Sequence, residues 1–427
     1  MKIRHVVVAS AVLAGLAAPS AHAAPVGPVL YAGHPDAVAG SYIVVLKRSE
    51  DLAATRSAAP GVTFTYRSAL PGFAMRASAA LAGRLAADPR VAYVAQDVRV
   101  GLTDRDLAAR DVVTREVARP EVVARDVAGR EAAGRDVVAQ DLAVQPDPPS
   151  WGLDRIDQRS LPLDRKYFHP NTASSVRAYI FGTGIRYTHQ EFDGAAVPGF
   201  DAIGGVTPPG NDCNGHGTHM AGTVGGRTTG VAKDVTLVSV RVLNCQGSGT
   251  YSQIIAGIDW ATRDAAASGR KAVALMTLGG GLNQAFNDAI TRSIQADVHY
   301  SVVSGASNAN ACNYSPGSTP LATTVGATDA NDAKASFSNY GPCIDVWAPG
   351  VGITSAWGTS DTAYSTISGS TASAHAAGVA ALWRHRFPAD SAVAVAEALR
   401  ANATPGVIPD PGAGSPNLLL FMGMIPV

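Results

Sequence analysis

Charge is scarce in this chain of 427 residues: Asp, Glu, Lys and Arg make up 16%, and 34 basic side chains cancel 34 acidic ones. Without a basic excess there is no electrostatic reason to expect nucleic acid or an anionic membrane as partner. Cysteine is scarcer still, and four of them are too few to staple a miniprotein. Gly and Pro, at 44 and 26, fall short of a collagen-like or fully disordered composition. Long apolar runs are missing after the N-terminus. Leu418 to Val427 is only a short tail, where a membrane span needs about 20 residues. What is plentiful is apolar side chain, at 46%. That suits a globular protein with a large core, and the length suggests two or three domains of about 150 residues.

Four segments follow one another. Lys2, Arg4 and His5, the apolar run Val6 to Ala18, and the small-x-small site Ala21-His22-Ala23 read as a signal peptide over 1–23. The expected location is therefore secreted and extracellular. Residues 41–98 read as a small α+β domain, with strands at 41–47, 62–67, 73–77 and 91–98 and a helix at 78–87. It holds no cluster of catalytic residue types. Residues 101–148 read as a charged linker built on a pentad repeat. Its acids fall at Asp106, Asp111, Glu116, Glu121, Asp126, Glu131, Asp136 and Asp141, usually with Arg before and Val or Leu after. A step of five advances about 140° around a helix and changes face along a strand, so neither form buries the valines on one side.

Residues 151–427 form the large domain. Apolar strands at 176–181, 235–243, 272–278, 300–304 and 323–327 alternate with helices such as 252–267 and 284–296. That order predicts an α/β fold with a mainly parallel sheet and a site at the carboxyl ends of the strands. The richest motif is Asp212-Cys-Asn-Gly-His216-Gly-Thr-His-Met-Ala-Gly-Thr-Val224. Its two histidines, three apart, lack the intervening Glu of a zinc-peptidase helix.

Asn214-Gly-His-Gly-Thr-His-Met-Ala-Gly222 resembles the catalytic-His segment of the subtilisin-like serine peptidases, the subtilases. Trp151-Gly-Leu-Asp-Arg-Ile-Asp-Gln-Arg159, Ala311-Cys-Asn-Tyr-Ser-Pro316, Ala335-Ser-Phe-Ser-Asn-Tyr-Gly341 and Ile344-Asp-Val-Trp-Ala-Pro-Gly350 resemble the proteinase K branch. The resemblance covers essentially all of 151–427. Residues 41–98 resemble the family's inhibitory prodomain, of ferredoxin-like α+β type. It implies a three-layer subtilisin-like fold and four working parts: a nucleophilic Ser, a His base, an orienting Asp and an oxyanion-hole Asn.

Only the base, His216, stands in place. In Ala178-Tyr-Ile-Phe-Gly182-Thr-Gly-Ile185 the Asp position is held by Gly182. The oxyanion Asn position is Ala306, after Gly305; Asn308 lies two residues off, a displacement of roughly 6–7 Å along a strand. The family's Gly-Thr-Ser-Met-Ala-x-Pro-His reads here Gly369-Ser-Thr-Ala-Ser-Ala-His375, one residue short. The matching position is Thr371, with Ser370 and Ser373 flanking it. In subtilisin itself, loss of the Ser or His costs about 10⁶ in turnover and loss of an oxyanion donor about 10²–10³. The expectation is a pseudoprotease without meaningful proteolysis. The alternative is an active secreted serine endopeptidase made as a preproprotein, using His216 with Thr371 or a nearby serine.

The peptide groove reads as better kept. Gly247-Ser248-Gly249 and Leu278-Gly279-Gly280 resemble the two edges that pair with an extended substrate. Cys213, Cys245, Cys312 and Cys343 allow three pairings. The resemblance picks Cys213–Cys245 and Cys312–Cys343. It also implies a structural Ca²⁺ held by the carbonyls of Pro320 and Ala322 with the Asp345 carboxylate. The expected partners are a peptide or protein ligand and the chain's own prodomain, with the chain a monomer.

Overall fold

The computed structural model describes residues 26–102 and 143–426, together with the backbone of 111–114. The 1–23 leader and the pentads other than the one at 111–114 lie outside the described residues.

The N-terminal domain runs β1 (Val29–Leu30), β2 (Ala37–Leu46), α1 (Leu52–Ser57), β3 (Val62–Tyr66), β4 (Gly72–Arg76), α2 (Ala79–Ala86) and β5 (Val91–Gly101). Its strands lie in the order β1-β5-β2-β4-β3. From β2 onward this is the split βαβ arrangement expected of the segment. The fold extends beyond the predicted 41–98 on both sides: β1 and the start of β2 precede it, and β5 continues to Gly101. α1 was not anticipated. α2 starts where Ser78 Oγ accepts from Leu81 N at 3.3 Å, satisfying one of the helix's orphan donors.

β2 explains why its sequence shows no apolar–polar alternation. Successive side chains point to opposite faces. Tyr42, Val44 and Leu46 pack with Leu52 and Leu85 of the domain's own helices. Ile43 and Val45 enter a core shared with Ile254 and Ile258 of the large domain. A strand covered on both faces reads as a continuous apolar run.

One pentad forms β6 (Asp111–Thr114). The large domain follows with β7 (Ala143–Pro146), α3 (Trp151–Ile156), β8 (Lys166–His169), β9 (Val176–Gly182), β10 (Ala196–Asp201), α4 (His216–Gly225), β11 (Thr236–Arg241) and β12 (Ser248–Thr250). Then come α5 (Tyr251–Ser268), β13 (Lys271–Met276), β14 (Gly280–Gly281), α6 (Gln284–Gln295), β15 (Val298–Val303), β16 (Tyr314–Ser315), β17 (Thr323–Thr328) and β18 (Val346–Pro349). The chain ends with β19 (Ile353–Ala356), β20 (Ala363–Ile367), α7 (Thr371–Arg386), α8 (Ala392–Asn402), β21 (Thr404–Pro405) and β22 (Leu418–Leu419).

The central sheet has the order β10-β11-β9-β13-β15-β17-β18-β22-β21 and is parallel except at its last pair. Helices cover both faces. Ala178 and Ile180 of β9 join the core of α4 and α7, while Tyr179 and Phe181 join that of α5 and α6. The expected α/β architecture is thus present, with the strand ends of β9, β13 and β15 opening on one edge. Both disulfides form as the resemblance implied, Cys213–Cys245 and Cys312–Cys343. Among the described residues no helix is long and apolar enough to cross a membrane.

Candidate active site

The site begins where β9 ends. Gly182 is its last residue, and its carbonyl accepts from Val242 N and Leu243 N at 3.0 and 3.1 Å. The next residue, Thr183, donates from Oγ1 to Asp212 Oδ1 at 2.9 Å and accepts from Gly217 N at 3.0 Å. Asp212 organises the loop that leads into α4. Its Oδ1 also takes the N–H groups of Asn214 and Gly215, and its Oδ2 takes the N–H and Oγ1 of Thr218. Every lone pair of Asp212 facing this loop is therefore engaged, so it cannot stand in for a missing orienting acid. Gly215 turns the chain at φ +113 and Gly217 lets α4 seat on Gly184, whose carbonyl would meet a Cβ there at 2.1 Å. These contacts place His216, 1% exposed, at the first turn of α4 beside the end of β9.

The space next to Gly182 is open. A Cβ built there meets nothing nearer than Gly217 Cα at 3.8 Å, an ordinary contact. Glycine is thus not required by packing, and its φ is not left-handed.

His219 and His375 are structural. His219 Nε2 lies 3.1 Å from both Ile353 O and Ser365 O, and burial, followed by nearby His216, depresses its pKa to about 3. His375 Nδ1 lies 2.9 Å from Thr371 O, and burial holds its pKa at about 4. His219 Nε2 is thus engaged by two carbonyls, and its ring is held against β19 and β20. Among the described residues no group of three His, Cys, Asp or Glu could hold an ion.

α7 supplies the remaining groups. Thr371 is its first residue, wholly buried, and its Oγ1 has no hydrogen-bond partner. Ser370 precedes the helix and lines a small cavity with Gly305 and Ala306, a wall that Thr371 does not reach. The phase of α7 is fixed downstream, where Gly378 seats against Val231. The helix is unbroken through His375. Five residues before His375, the spacing of the family motif, falls on Ser370 and not on Thr371. Ala306 offers only a methyl where a donor is expected. Asn308 is turned away, its N–H on Phe337 O at 2.8 Å and its Oδ1 accepting from Lys334 at 3.0 Å.

The groove lies beside this corner and is occupied by the prodomain. β5 pairs antiparallel with β12: Gly101 opposite Ser248, Val100 opposite Gly249, Arg99 opposite Thr250. Leu102 N donates to Gly247 O at 2.9 Å, and across the groove Gly101 bridges to Gly279. A Cβ at Gly247 would meet Leu102 at 2.8 Å, and one at Gly279 would meet Ser315 O at 2.3 Å. Glycine at 247 therefore makes room for the Leu102 side chain of the inserted strand, while glycine at 279 is required by Ser315 of the domain's own β16. Leu102 ends at a pocket walled by Gly279, Gly280, Ser304 to Ser307 and Tyr314 to Gly317. Leu278 is buried beneath this edge and does not line the pocket.

Residues that sequence reading passed over hold the prodomain down. Asp259 Oδ1 accepts from the N–H groups of Arg67, Ser68 and Ala69 at 2.7, 2.5 and 3.0 Å. Asp97 accepts from Ser252 N and Oγ at 3.0 and 2.6 Å, at the N-terminal turn of α5. Tyr66 donates to Ser252 O at 3.0 Å and Tyr93 to Asp288 at 2.6 Å. Single acids in apolar surroundings carry little sequence signal; an acid near the end of the predicted strand 91–98, Asp97, is the one available hint.

At the predicted cation position, Asp345 Oδ2 accepts from Thr324 N at 2.8 Å and Oδ1 faces Arg400 at 3.7 Å. Burial pushes its pKa above the ordinary carboxylate range. A cation here would use the Asp345 carboxylate in competition with the Thr324 N–H and the Arg400 guanidinium.

A strand laid between two glycine edges, its end at a pocket beside a helix-borne histidine, defines a peptidase-type α/β domain carrying its own strand-shaped inhibitor. Comparison with known proteins makes the class specific. Residues 180–421 match the subtilase family and residues 36–103 match peptidase inhibitor I9. The chain is 43% identical over 423 residues, 92% of each chain, to an extracellular serine proteinase of Thermus sp. (strain Rt41A). It is 47% identical over 272 residues, 64% of this chain and 50% of the relative, to alkaline serine exoprotease A of Vibrio alginolyticus. The crystal structure of a cold-adapted subtilisin-like serine proteinase is similar at TM-score 0.60 and 44% identity, covering 64% of this chain and 97% of that one. The chain belongs to the subtilase family and carries the family's inhibitor prodomain.

Proposed function

We propose that this is an exported subtilase made as a preproprotein, with a groove that binds peptides as extended strands and a slow serine-endopeptidase chemistry run by Ser370 and His216. The prodomain tail lying between β12 and Gly279 carries the binding half of this reading. Pairing there is through backbone, so it does not depend on the catalytic side chains. In the reaction, Ser370 Oγ would attack the scissile carbonyl while His216 takes its proton and returns it to the leaving amine. Nothing at 182 orients His216 or stabilises its charged form. Ala306 offers no second donor to the oxyanion, leaving backbone N–H groups at the start of α7. Loss of the acid costs about 10⁴ and loss of the donor about 10²–10³, so the rate falls on the order of 10⁶ below an intact site. Asp345 with the carbonyls of Pro320 and Ala322 would hold a structural Ca²⁺.

The expectation of a pure pseudoprotease is the second reading. Gly182 and Ala306 favour it; the proteinases among the relatives favour the first. The test is the intact mass of secreted protein from a protease-deficient host, with a sensitive peptide assay on the same sample. A chain cut within 103–150 and hydrolysis blocked by a serine-directed reagent supports the first reading. An uncut chain with no hydrolysis, and Ser370→Ala indistinguishable from the parent, leaves the binding protein.

A further inference from the structure

The segment Ala335-Ser-Phe-Ser-Asn-Tyr-Gly341 carries part of the family resemblance but has no part in the chemistry proposed above. Its Asn339 is wholly buried. Oδ1 accepts from Ser307 N and from Ala309 N, both at 3.0 Å, and Nδ2 donates to Ser304 O at 2.9 Å. Two converging N–H donors at one end and a carbonyl at the other identify which end of the amide is oxygen. The backbone adds a bond from Asn339 N to Gly305 O at 3.1 Å and one from Tyr340 N to Ala309 O at 3.0 Å.

All of these partners lie in one loop. Residues 304–309 follow β15 and belong to no helix or strand, yet 304–307 wall the pocket at Leu102 and 304–306 line the small cavity beside Ser370. Backbone groups that no ladder satisfies must find partners in water or in side chains, and Asn339 takes up three of them at once. Gly305 shows how closely the two parts fit. Its φ is +102, and a Cβ there would lie 2.3 Å from Asn339 Nδ2. The amide therefore stands in room that glycine leaves. None of these contacts involves the side chain at 306, so they hold the loop from behind whether 306 carries an amide or a methyl. We propose that Asn339 is the positioning residue of this loop, fixing where a side chain at 306 stands relative to Ser370. The proposal rests on the reading of this corner as a peptidase site.

An oxyanion donor works only from a preorganised place, about 2.7–3.1 Å from where charge develops in the transition state. A misplacement of about 1 Å can cost on the order of 10² in rate. With Ala306 there is no donor to misplace. Asn339 therefore matters little to turnover while 306 is alanine, and much once 306 is asparagine. A residue that merely stabilised the fold would affect both alike.

A double-mutant cycle reads that difference. In the Gly182→Asp, Ala306→Asn background, Asn339→Ala should lower kcat by about 10² or more; in Gly182→Asp with Ala306 retained, the loss should stay below about tenfold. Equal losses in the two backgrounds overturn the proposal. Hydrogen exchange on the full chain tests the loop without any turnover, so it decides the proposal even where the corner hydrolyses nothing. In the parent, the Ser307 and Ala309 amides should exchange at least about a hundredfold more slowly than in an unstructured chain. In Asn339→Ala they should speed up by about tenfold or more, while the amides of β15 stay within a few-fold. Unprotected amides in the parent, unchanged amides in the variant, or a loss shared equally by β15 each overturn it. Asn339→Asp, of the same shape, keeps the oxygen that faces 307 and 309 and serves if the alanine variant does not fold. Protection at those two amides should then stay within a few-fold of the parent, and a loss of about tenfold there overturns the assignment.

Discussion

The groove and the catalytic corner are neighbours on the same strand ends, yet they are made of different material. The groove consists of backbone: glycines at 247 and 279, ladder hydrogen bonds, and a strand seated between them. The corner depends on side chains, and at two of the four positions that the motifs assign, 182 and 306, the sequence carries a hydrogen and a methyl. A ladder tolerates much substitution because every residue carries the same N–H and C=O. A triad tolerates little, because one missing side chain changes the charge the site can hold. Divergence can therefore empty one while leaving the other intact, and the sharpest experiments try to restore the first or break the second.

The largest effect should come from Gly182→Asp. A Cβ fits at 182 at ordinary contact distance and the backbone is not left-handed, so a side chain can be introduced there without backbone strain. Turnover of a peptide substrate should rise by about 10⁴ if Ser370 and His216 are competent. Ala306→Asn should add about 10²–10³ by supplying the oxyanion donor. If the double variant gains nothing, the serine loop itself is unproductive and the Ser370 register is wrong. Adding Ser370→Ala to the revertant must abolish the gain.

Breaking the groove's occupant should cost less. Asp259→Ala leaves three N–H groups at 67–69 without their shared acceptor, and Asp97→Ala leaves Ser252 without its partner. Hydrogen bonds to a charged group are worth about 1.5–3 kcal/mol. After an added protease cuts the 103–142 segment, each variant should release the prodomain about ten- to a hundredfold more readily, read by gel filtration against dilution. Unchanged retention would mean that the apolar face of Ile43 and Val45 holds the prodomain alone.

These two regions were also unequally legible. The parallel strands and their order along the chain followed from apolar runs alternating with helices, because in α/β folds each strand is buried on both faces. The prodomain's strands were placed within a few residues. Its edges were missed since β1 has two residues and the start of β2 is Ala37-Val-Ala-Gly40, small residues ending in a glycine, and α1 because six residues carry too little periodicity. The unalternating run 41–47 held a signal that went unread: a strand apolar on both faces needs a partner on each side, and the second is the large domain. At the corner, His216 and positions 182 and 306 were assigned from motifs, and the reading of Thr371 as the serine position gives way in the proposed function to Ser370, which the unbroken helix α7 leaves five residues before His375. Asp97 and Asp259 needed a tertiary partner that sequence spacing does not encode.

A cation should have a smaller effect. Chelation is expected to lower the melting temperature by a few degrees if Ca²⁺ is held at Asp345, and Arg400→Ala should enlarge that shift by removing the competing guanidinium 3.7 Å away. No shift in either protein would remove the cation from this site.

The smallest effect bears on what still frames the corner. His219 and His375, one turn along from His216 and Thr371, are buried neutral against carbonyls, with pKa values near 3 and 4 against 6.5 when exposed. Between those values the unfolded chain binds a proton that the folded chain refuses. Stability therefore rises with pH through this window and is lost as pH falls from about 6.5 toward 4, by about 1.4 kcal/mol per pH unit for each histidine. Denaturant unfolding between pH 4.5 and 6.5 should show His375→Gln with a slope shallower by about one proton than its parent. An unchanged slope would mean that His375 is protonated in the fold, and that the end of α7 leading from the serine is less tightly enclosed than the groove beside it.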